Sequence, residues 1–193
     1  MNIYFFGGTF DPPHKAHKLI YKECIKLCDK FIFIPTAQSP DKSKPSAAPE
    51  DRVEMLKLLI DKEDFDKVII DQFEIDSIKK PNYTIDTIQY LKKRFNQCSI
   101  NMVVGTDQYN NLINWKNYND IIKQVNIVCF KRHTIDAKYD NEVTFIDFNF
   151  DISSTEIKKN IIANKFKNLE NSLTAKVYDF ITRKKLYRNV NAN

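Results

Sequence analysis

The run Gly7-Gly8-Thr9-Phe10-Asp11-Pro12-Pro13-His14-Lys15-Ala16-His17 is the part of the chain best suited to phosphate chemistry. It follows a short apolar stretch, Ile3 to Phe6, and precedes residues with helical spacing. Glycines let backbone N–H groups face an anion, and a helix start adds the positive end of its dipole. His14 and His17 lie three apart, so a helix would put them on one face. Two histidines at that spacing can hold a metal, but a metal site then needs a third ligand, and none is evident. Beside an anion-binding loop, the imidazoles instead suit hydrogen bonding to charge that builds on phosphorus in a transition state. The segment is not a P-loop, because G-x-x-x-x-G-K-[ST] is absent.

A second segment, Ile152-Ser153-Ser154-Thr155-Glu156-Ile157-Lys158, has two readings. Ser-Ser-Thr before an apolar-periodic stretch is a common helix cap. The same hydroxyls and N–H groups can bind the distal phosphates of a nucleotide, with Lys158 adding a cation one turn in. The stretch from Thr36 to Glu50 is also ambiguous. It holds Pro40, Pro45 and Pro49, with Lys42 and Lys44 between them. It reads equally as a surface linker and as a lid whose lysines close on phosphate.

The elements that must position these groups alternate along the chain. Strands are predicted at Ile3–Phe6, Phe31–Pro35, Val68–Phe73, Ile100–Val104, Ile127–Phe130 and Val143–Phe148. Helices are predicted at Ala16–Cys28, Asp51–Ile60, Tyr83–Phe95, Ser154–Ala163 and Thr174–Leu186. Strand and helix joined by short connections predict an α/β fold: a Rossmann-like, doubly wound parallel sheet with helices on both faces. Ligands then bind at the carboxyl ends of strands. The chain has 3 glycines, Gly7, Gly8 and Gly105, and all fall at predicted strand ends. Glycine serves where backbone approaches a ligand or adopts positive φ.

Composition narrows the class. The 193 residues are 42% hydrophobic and 28% charged, which fits one globular domain over residues 1–193 with the last few as a tail. No apolar run approaches the ~20 residues of a membrane helix, and no basic-then-apolar leader precedes Ile3. A membrane partner is not expected. Cys24, Cys28, Cys98 and Cys129 form no C-x-x-C pair and are too few for a disulfide scaffold, which fits a reduced, cytoplasmic setting. Cys24 and Cys28, four apart on a predicted helix, read as a buried pair and not as a zinc site. The sequon Asn82-Tyr83-Thr84 reads as accidental. A net charge of +5 favours anionic partners. No nucleic-acid signature stands out, so a phosphorylated small molecule is expected in place of nucleic acid.

The glycine–histidine segment resembles the G-x-F-D-P-x-H-x-G-H signature of a nucleotidyltransferase superfamily, and the serine segment resembles its I-S-S-T-x-x-R. With Pro-Asn-Tyr83-Thr84-Ile-Asp86-Thr87, Val-Gly105-Thr-Asp107, Asn-Trp115-Lys-Asn-Tyr118 and Lys131-Arg132 between them, the chain is similar to the bacterial-type nicotinate-nucleotide adenylyltransferases of NAD synthesis. The C-terminal run from Val177 to Ile181 and Leu186-Tyr187 also fits. The resemblance covers nearly the whole chain in order. It implies that the 5′-phosphate of nicotinate mononucleotide attacks the α-phosphorus of ATP and that pyrophosphate leaves. Mg²⁺ would be held mainly by ATP phosphates and water.

The resemblance also implies roles. His14 and His17 would be the catalytic pair on the triphosphate, with His17 nearest the α-phosphate. Gly8, Thr9 and Phe10 would present backbone to the phosphates. Ile152, Ser153, Ser154, Thr155 and Lys158 would hold the pyrophosphate end, and Gly105 and Asp107 the ribose. Trp115 would stack on the pyridine ring, unless it serves packing alone. Thr84 and Tyr118 would bind the nicotinate carboxylate through backbone, and Gly7, Lys42 and Arg132 complete the mononucleotide side. ATP and nicotinate mononucleotide are thus the expected partners, and a homo-oligomer stays open.

The chain departs from the pattern at three places. Ala16 replaces a glycine between the histidines, a change that a helix tolerates. Lys158 replaces an arginine, so a point charge stands where a guanidinium would fork onto phosphate. Ser39-Pro40-Asp41-Lys42 replaces the usual Pro-Pro-His-Lys. The rival functions are the same transfer to the amide mononucleotide, a phosphopantetheine-type sister transferase, and a nucleotide sensor without catalysis.

Overall fold

Six parallel strands and their connecting helices make up the computed structural model, which describes residues 1–40, 43–78, 80–131 and 143–188. The strands are β1 (Asn2–Gly8), β2 (Lys30–Pro35), β3 (Val68–Ile70), β4 (Ser99–Gly105), β5 (Asn126–Lys131) and β6 (Val143–Asp147). The helices are α1 (Lys15–Cys24), α2 (Pro49–Leu59), α3 (Phe73–Asp76), α4 (Thr84–Arg94), α5 (Thr106–Asn110), α6 (Tyr118–Ile122), α7 (Ser154–Ile162) and α8 (Ala175–Lys184). The sheet order is β3-β2-β1-β4-β5-β6, with every pair parallel. This is the doubly wound parallel sheet expected from the alternation, and the structure supplies its strand order.

The four central strands, β2, β1, β4 and β5, are buried on both faces, which explains their largely apolar sequences. Phe31, Ile32, Phe33 and Ile34 are all fully buried. Alternation sends Tyr4, Phe31, Phe33, Val103 and Phe130 to one face, under α1, α2, α7 and α8. Ile3, Phe5, Ile32, Met102 and Cys129 go to the other, under α4 and the Leu112 to Val125 region. The chain leaves β1 for β2 on one side and later enters β4 on the other. The order therefore reverses between β1 and β4, where such folds open a crevice. Phe6 pairs with Val103, so the strand ends at Gly8 and Gly105 lie level across that crevice.

Local chemistry explains the departures from the expected elements. The first helix stops at Cys24 and not at Cys28, because Asp29 must turn back to donate its N–H to the Asn2 carbonyl at 2.9 Å. Cys24 and Cys28 are both buried, but only Cys24 is helical. The third strand ends at Ile70, because the Asp71 carboxylate accepts the Phe73 N–H at 2.9 Å and starts α3. The helices α3, α5 and α6 have 4–5 residues, too short to carry a periodic signal. Among the described residues, no helix is long and apolar enough to cross a membrane.

Candidate active site

The residues after β1 form a tight loop whose geometry rests on aromatic packing. His14 is the N-cap of α1 in extended conformation, and its N–H donates to Nδ1 of His17 at 3.1 Å. The two imidazoles stack with centroids 3.7 Å apart and planes 24° apart. A ring nitrogen that accepts a hydrogen bond carries no proton, so neutral His17 holds its hydrogen on Nε2. That makes Nε2–H the donor of this ring. His14 is buried and His17 half-buried. The N–H of Lys15, the first of the helix, donates to the Ser172 carbonyl at 2.8 Å. At least one donor expected to face an anion is therefore satisfied inside the protein, as a buried helix end requires.

Of the two uses expected of the glycines, close approach to a ligand and positive φ, the second does not occur. None of the three has positive φ; Phe10 takes the left-handed turn instead, at φ 50°. Its ring folds over Gly8, where a Cβ would stand 3.0 Å from Phe10 Cζ. The same ring meets Phe33 and His17 edge to face, at 5.4 and 5.0 Å. Gly8 thus makes room for a side chain. Gly7 and Gly105 face open space: a Cβ at either would meet nothing within 4 Å. Thr9 is clamped from behind: the fully buried Arg52 of α2 donates Nη1 to the carbonyls of Thr9 (2.6 Å) and Thr36 (2.8 Å). Its Nε and Nη2 are buried without an acceptor among the described residues. Burial lowers the Arg52 pKa, against the opposing pull of Asp11.

Asp11 ties distant parts of the chain to this loop. It is 3% exposed, and its carboxylate accepts hydrogen bonds from four groups. They come from the N–H groups of Ser46 (2.7 Å) and Ala47 (3.0 Å), from Lys158 Nζ (3.1 Å) and from Tyr187 Oη (2.9 Å). Burial alone would raise its pKa. The donors, led by Ser46, Tyr187 and Ala47, outweigh burial and hold the carboxyl below its ordinary range. The Asp11–Pro12 peptide bond is cis. One residue on, the Pro12 carbonyl accepts from Ser154 Oγ at 2.9 Å, across 142 residues of sequence.

The serine segment therefore meets the first segment directly. Ser153 caps α7, its Oγ accepting the Thr155 N–H at 3.2 Å. Ile152, Ser153 and Ser154 are half-buried and Thr155 is exposed. Lys158 lies one turn in, between Asp11 and the Ser46 hydroxyl at 3.2 Å. The stretch before α2 is thus anchored at Ser46–Ala47, which a loose linker would not be. Lys42, on which the lid reading depends, lies outside the described residues, as does Arg132.

The other expected residues lie at the end of β4 and on the second face of the sheet. Gly105 is the N-cap of α5, and Asp107 is exposed in its first turn. Trp115, Tyr118 and Tyr83 are half-buried against the second face's core. Lys116 Nζ sits 4.1 Å from the centre of the Tyr83 ring, which joins the 115–118 turn to the start of α4 at Thr84. Asn117 takes φ 60° in that turn, and the Tyr118 N–H donates to the Trp115 carbonyl at 3.1 Å. A carboxylate bound by the Tyr118 N–H must share it with that carbonyl.

Asp11, Arg52 and Tyr187 are the residues that sequence reasoning left without a role. Asp11 lies inside the recognised pattern, and Tyr187 ends the C-terminal run. The only trace of Arg52 is its helical spacing with Met55, Leu56 and Leu59, all buried.

Comparison with known proteins bears on the fold and the family. Residues 5–160 match the cytidylyltransferase-like family model. A "probable nicotinate-nucleotide adenylyltransferase" of Hydrogenobaculum sp. (strain Y04AAS1) is 35% identical over 97% of this chain and 98% of its own. A protein of the same description from Endomicrobium trichonymphae is 34% identical over 96% of this chain and 98% of its own. Among solved structures, Plasmodium falciparum nicotinic acid mononucleotide adenylyltransferase complexed with NaAD has the same fold. Its TM-score is 0.81 at 18% identity, over 96% of this chain and 97% of that one. A fold, a loop pair and a sequence likeness thus point the same way: the chain belongs to the cytidylyltransferase-like family and, within it, to the nicotinate-nucleotide adenylyltransferases.

Proposed function

We propose that the chain transfers AMP from ATP to nicotinate mononucleotide, giving nicotinate adenine dinucleotide and pyrophosphate, in the cytoplasm. One observation carries this reading. The Ser154–Pro12 hydrogen bond joins two segments suited to phosphate at the end of β1, beside the β1–β4 crevice. The names of the relatives in both sequence and fold support the choice of substrates.

In this reading a phosphate oxygen of the mononucleotide forms a bond to the α-phosphorus of ATP as the bond to the β-phosphate bridge breaks. The pair of electrons leaves with pyrophosphate. Catalysis is then alignment and charge stabilisation, with no covalent enzyme intermediate. His17 Nε2–H donates to the α-phosphate, and the stacked His14 fixes its ring. Lys158 and the α7 start with Ser153, Ser154 and Thr155 hold the leaving pyrophosphate. Gly105 and Asp107 meet the ribose. Trp115, Thr84 and Tyr118 receive the pyridine end, and Lys42 and Arg132 remain assigned to the mononucleotide phosphate by resemblance alone. Magnesium enters as part of the nucleotide substrate, carried by its phosphates and water.

The test is pyrophosphate release with ATP and Mg²⁺, run in parallel with nicotinate mononucleotide, nicotinamide mononucleotide and phosphopantetheine. Release with the acid far above the other two is the expected result. Equal release with acid and amide would make the enzyme dual-specific. Release with phosphopantetheine alone, or with none of them, would overturn the proposal.

A further inference from the structure

The C-terminal turn reaches into the site described above, and its geometry is costly. Helix α8 closes at Lys185, which takes φ 54°, and Leu186 returns its N–H to the Ile181 carbonyl at 3.0 Å. Two residues later Tyr187 takes φ 62°. Two left-handed residues within three, neither a glycine, store backbone strain that the surroundings must hold. The result is that the Tyr187 hydroxyl donates to Asp11 Oδ1 at 2.9 Å, across 176 residues. Burial and the adjacent Asp11 charge raise the phenol's pKa, so it stays a donor.

We infer that Tyr187 is a positioning residue for nucleotide binding, acting through Asp11 on Lys158. The inference rests on the reading of Lys158 as a contact to the ATP phosphates. Asp11 and Lys158 form an ion pair inside the first loop, and the lysine side chain is about a quarter exposed. An ammonium has three N–H groups. Asp11 and Ser46 take two of them, which leaves the third for an incoming phosphate. The phenol neutralises part of the demand of Asp11 for donors. Without it, Oδ1 keeps only the Ala47 N–H. The carboxylate then draws harder on Lys158 and competes with phosphate for its charge. Tyr187 therefore sets how much of the Lys158 charge the nucleotide can use.

The experiment is calorimetric titration with ATP, which needs no second substrate, on wild type, Tyr187→Phe, Lys158→Ala and the double variant. Tyr187→Phe should weaken ATP about tenfold, equivalent to ~1.4 kcal/mol. It should leave mononucleotide affinity within about twofold and should have little further effect once Lys158 is alanine. Thermal melts of each variant separate loss of fold from loss of affinity. ATP affinity unchanged in Tyr187→Phe would overturn the inference. So would an undiminished loss in the Lys158→Ala background, because a packing role does not depend on that lysine. Wild type that binds ATP but turns over none of the three acceptors would refute the proposed reaction and leave this inference standing on the titration.

Discussion

Replacing Asp11 by asparagine tests the hub that assembles the loop. The carboxylate accepts Ala47 N–H and Tyr187 Oη on one oxygen, Ser46 N–H and Lys158 Nζ on the other. An asparagine keeps one acceptor oxygen and turns an NH₂ toward two donors, whichever way the amide is set. It also removes the charged partner of Lys158. Breaking a buried ion pair from one side costs about 3–5 kcal/mol. The Lys158 side chain is 26% exposed and can rehydrate, so the lower end, about 3 kcal/mol, is expected. At about 2–4 °C per kcal/mol for a chain of this size, the melting temperature should fall by about 6–12 °C.

The pH dependence adds a second reading of the same variant. The folded-state pKa of Asp11 lies below its unfolded value of about 3.9. The stability that Asp11 contributes is therefore complete above the unfolded value and is lost as pH falls toward the folded one. Thermal melts of wild type and Asp11→Asn between pH 8 and pH 3 should show a constant gap down to about pH 5 and a narrowing gap below about pH 4. A gap under about 2 °C at neutral pH, or one that does not narrow in acid, would refute the account of Asp11 as a charged hub.

Three further outcomes are expected. His17→Ala should lower kcat by about 10²–10³-fold with little change in ATP affinity, as for loss of one transition-state donor; a rise in KM at unchanged kcat would remove it from that role. Trp115→Ala should raise the mononucleotide KM about tenfold and leave that of ATP within about twofold, as loss of one stacking ring implies; an unchanged mononucleotide KM would return Trp115 to packing. Burial raises the thiol pKa of Cys24, and it pushes Cys28 up to about 11 and Cys129 to about 12. Only Cys98 is not buried, so a thiol reagent at neutral pH should modify one cysteine in the native protein and all four in denaturant. Rapid native labelling of Cys24 and Cys28 would contradict the packing under α1.

The fold was legible because its signal is local. Apolar strands bounded by helical spacing announce a parallel sheet, and the strand ends Gly8 and Gly105 locate its crevice. The glycine–histidine and serine segments were legible as separate pieces. Their meeting was not, because Ser154 finds Pro12 only after six strands have paired. Arg52 shows the limit most clearly. A basic residue near Val53 and Leu56 reads as a solvated face, yet its guanidinium is fully buried and clamps two carbonyls. The left-handed turn at Phe10 was equally hidden. A left-handed turn ordinarily falls to a glycine, so a phenylalanine gives no sign of one; its ring packs on Phe33 and His17 and holds the turn.

The contact between Tyr187 and Asp11 also has a meaning in time. The two residues are 176 apart, so at about 5–20 residues per second a ribosome adds the tyrosine roughly 10–35 s after the aspartate. Ser46 and Ala47 arrive early, Lys158 late and Tyr187 later still. The nascent chain can pair β1 with β2 while Asp11 still lacks its cation and its phenol. A desolvated carboxylate with half its donors is unfavourable, so the first loop has reason to stay open to water during synthesis. It can gain its full set of donors only once the turn after α8 has emerged, which ties maturation of the loop to residues far downstream of it.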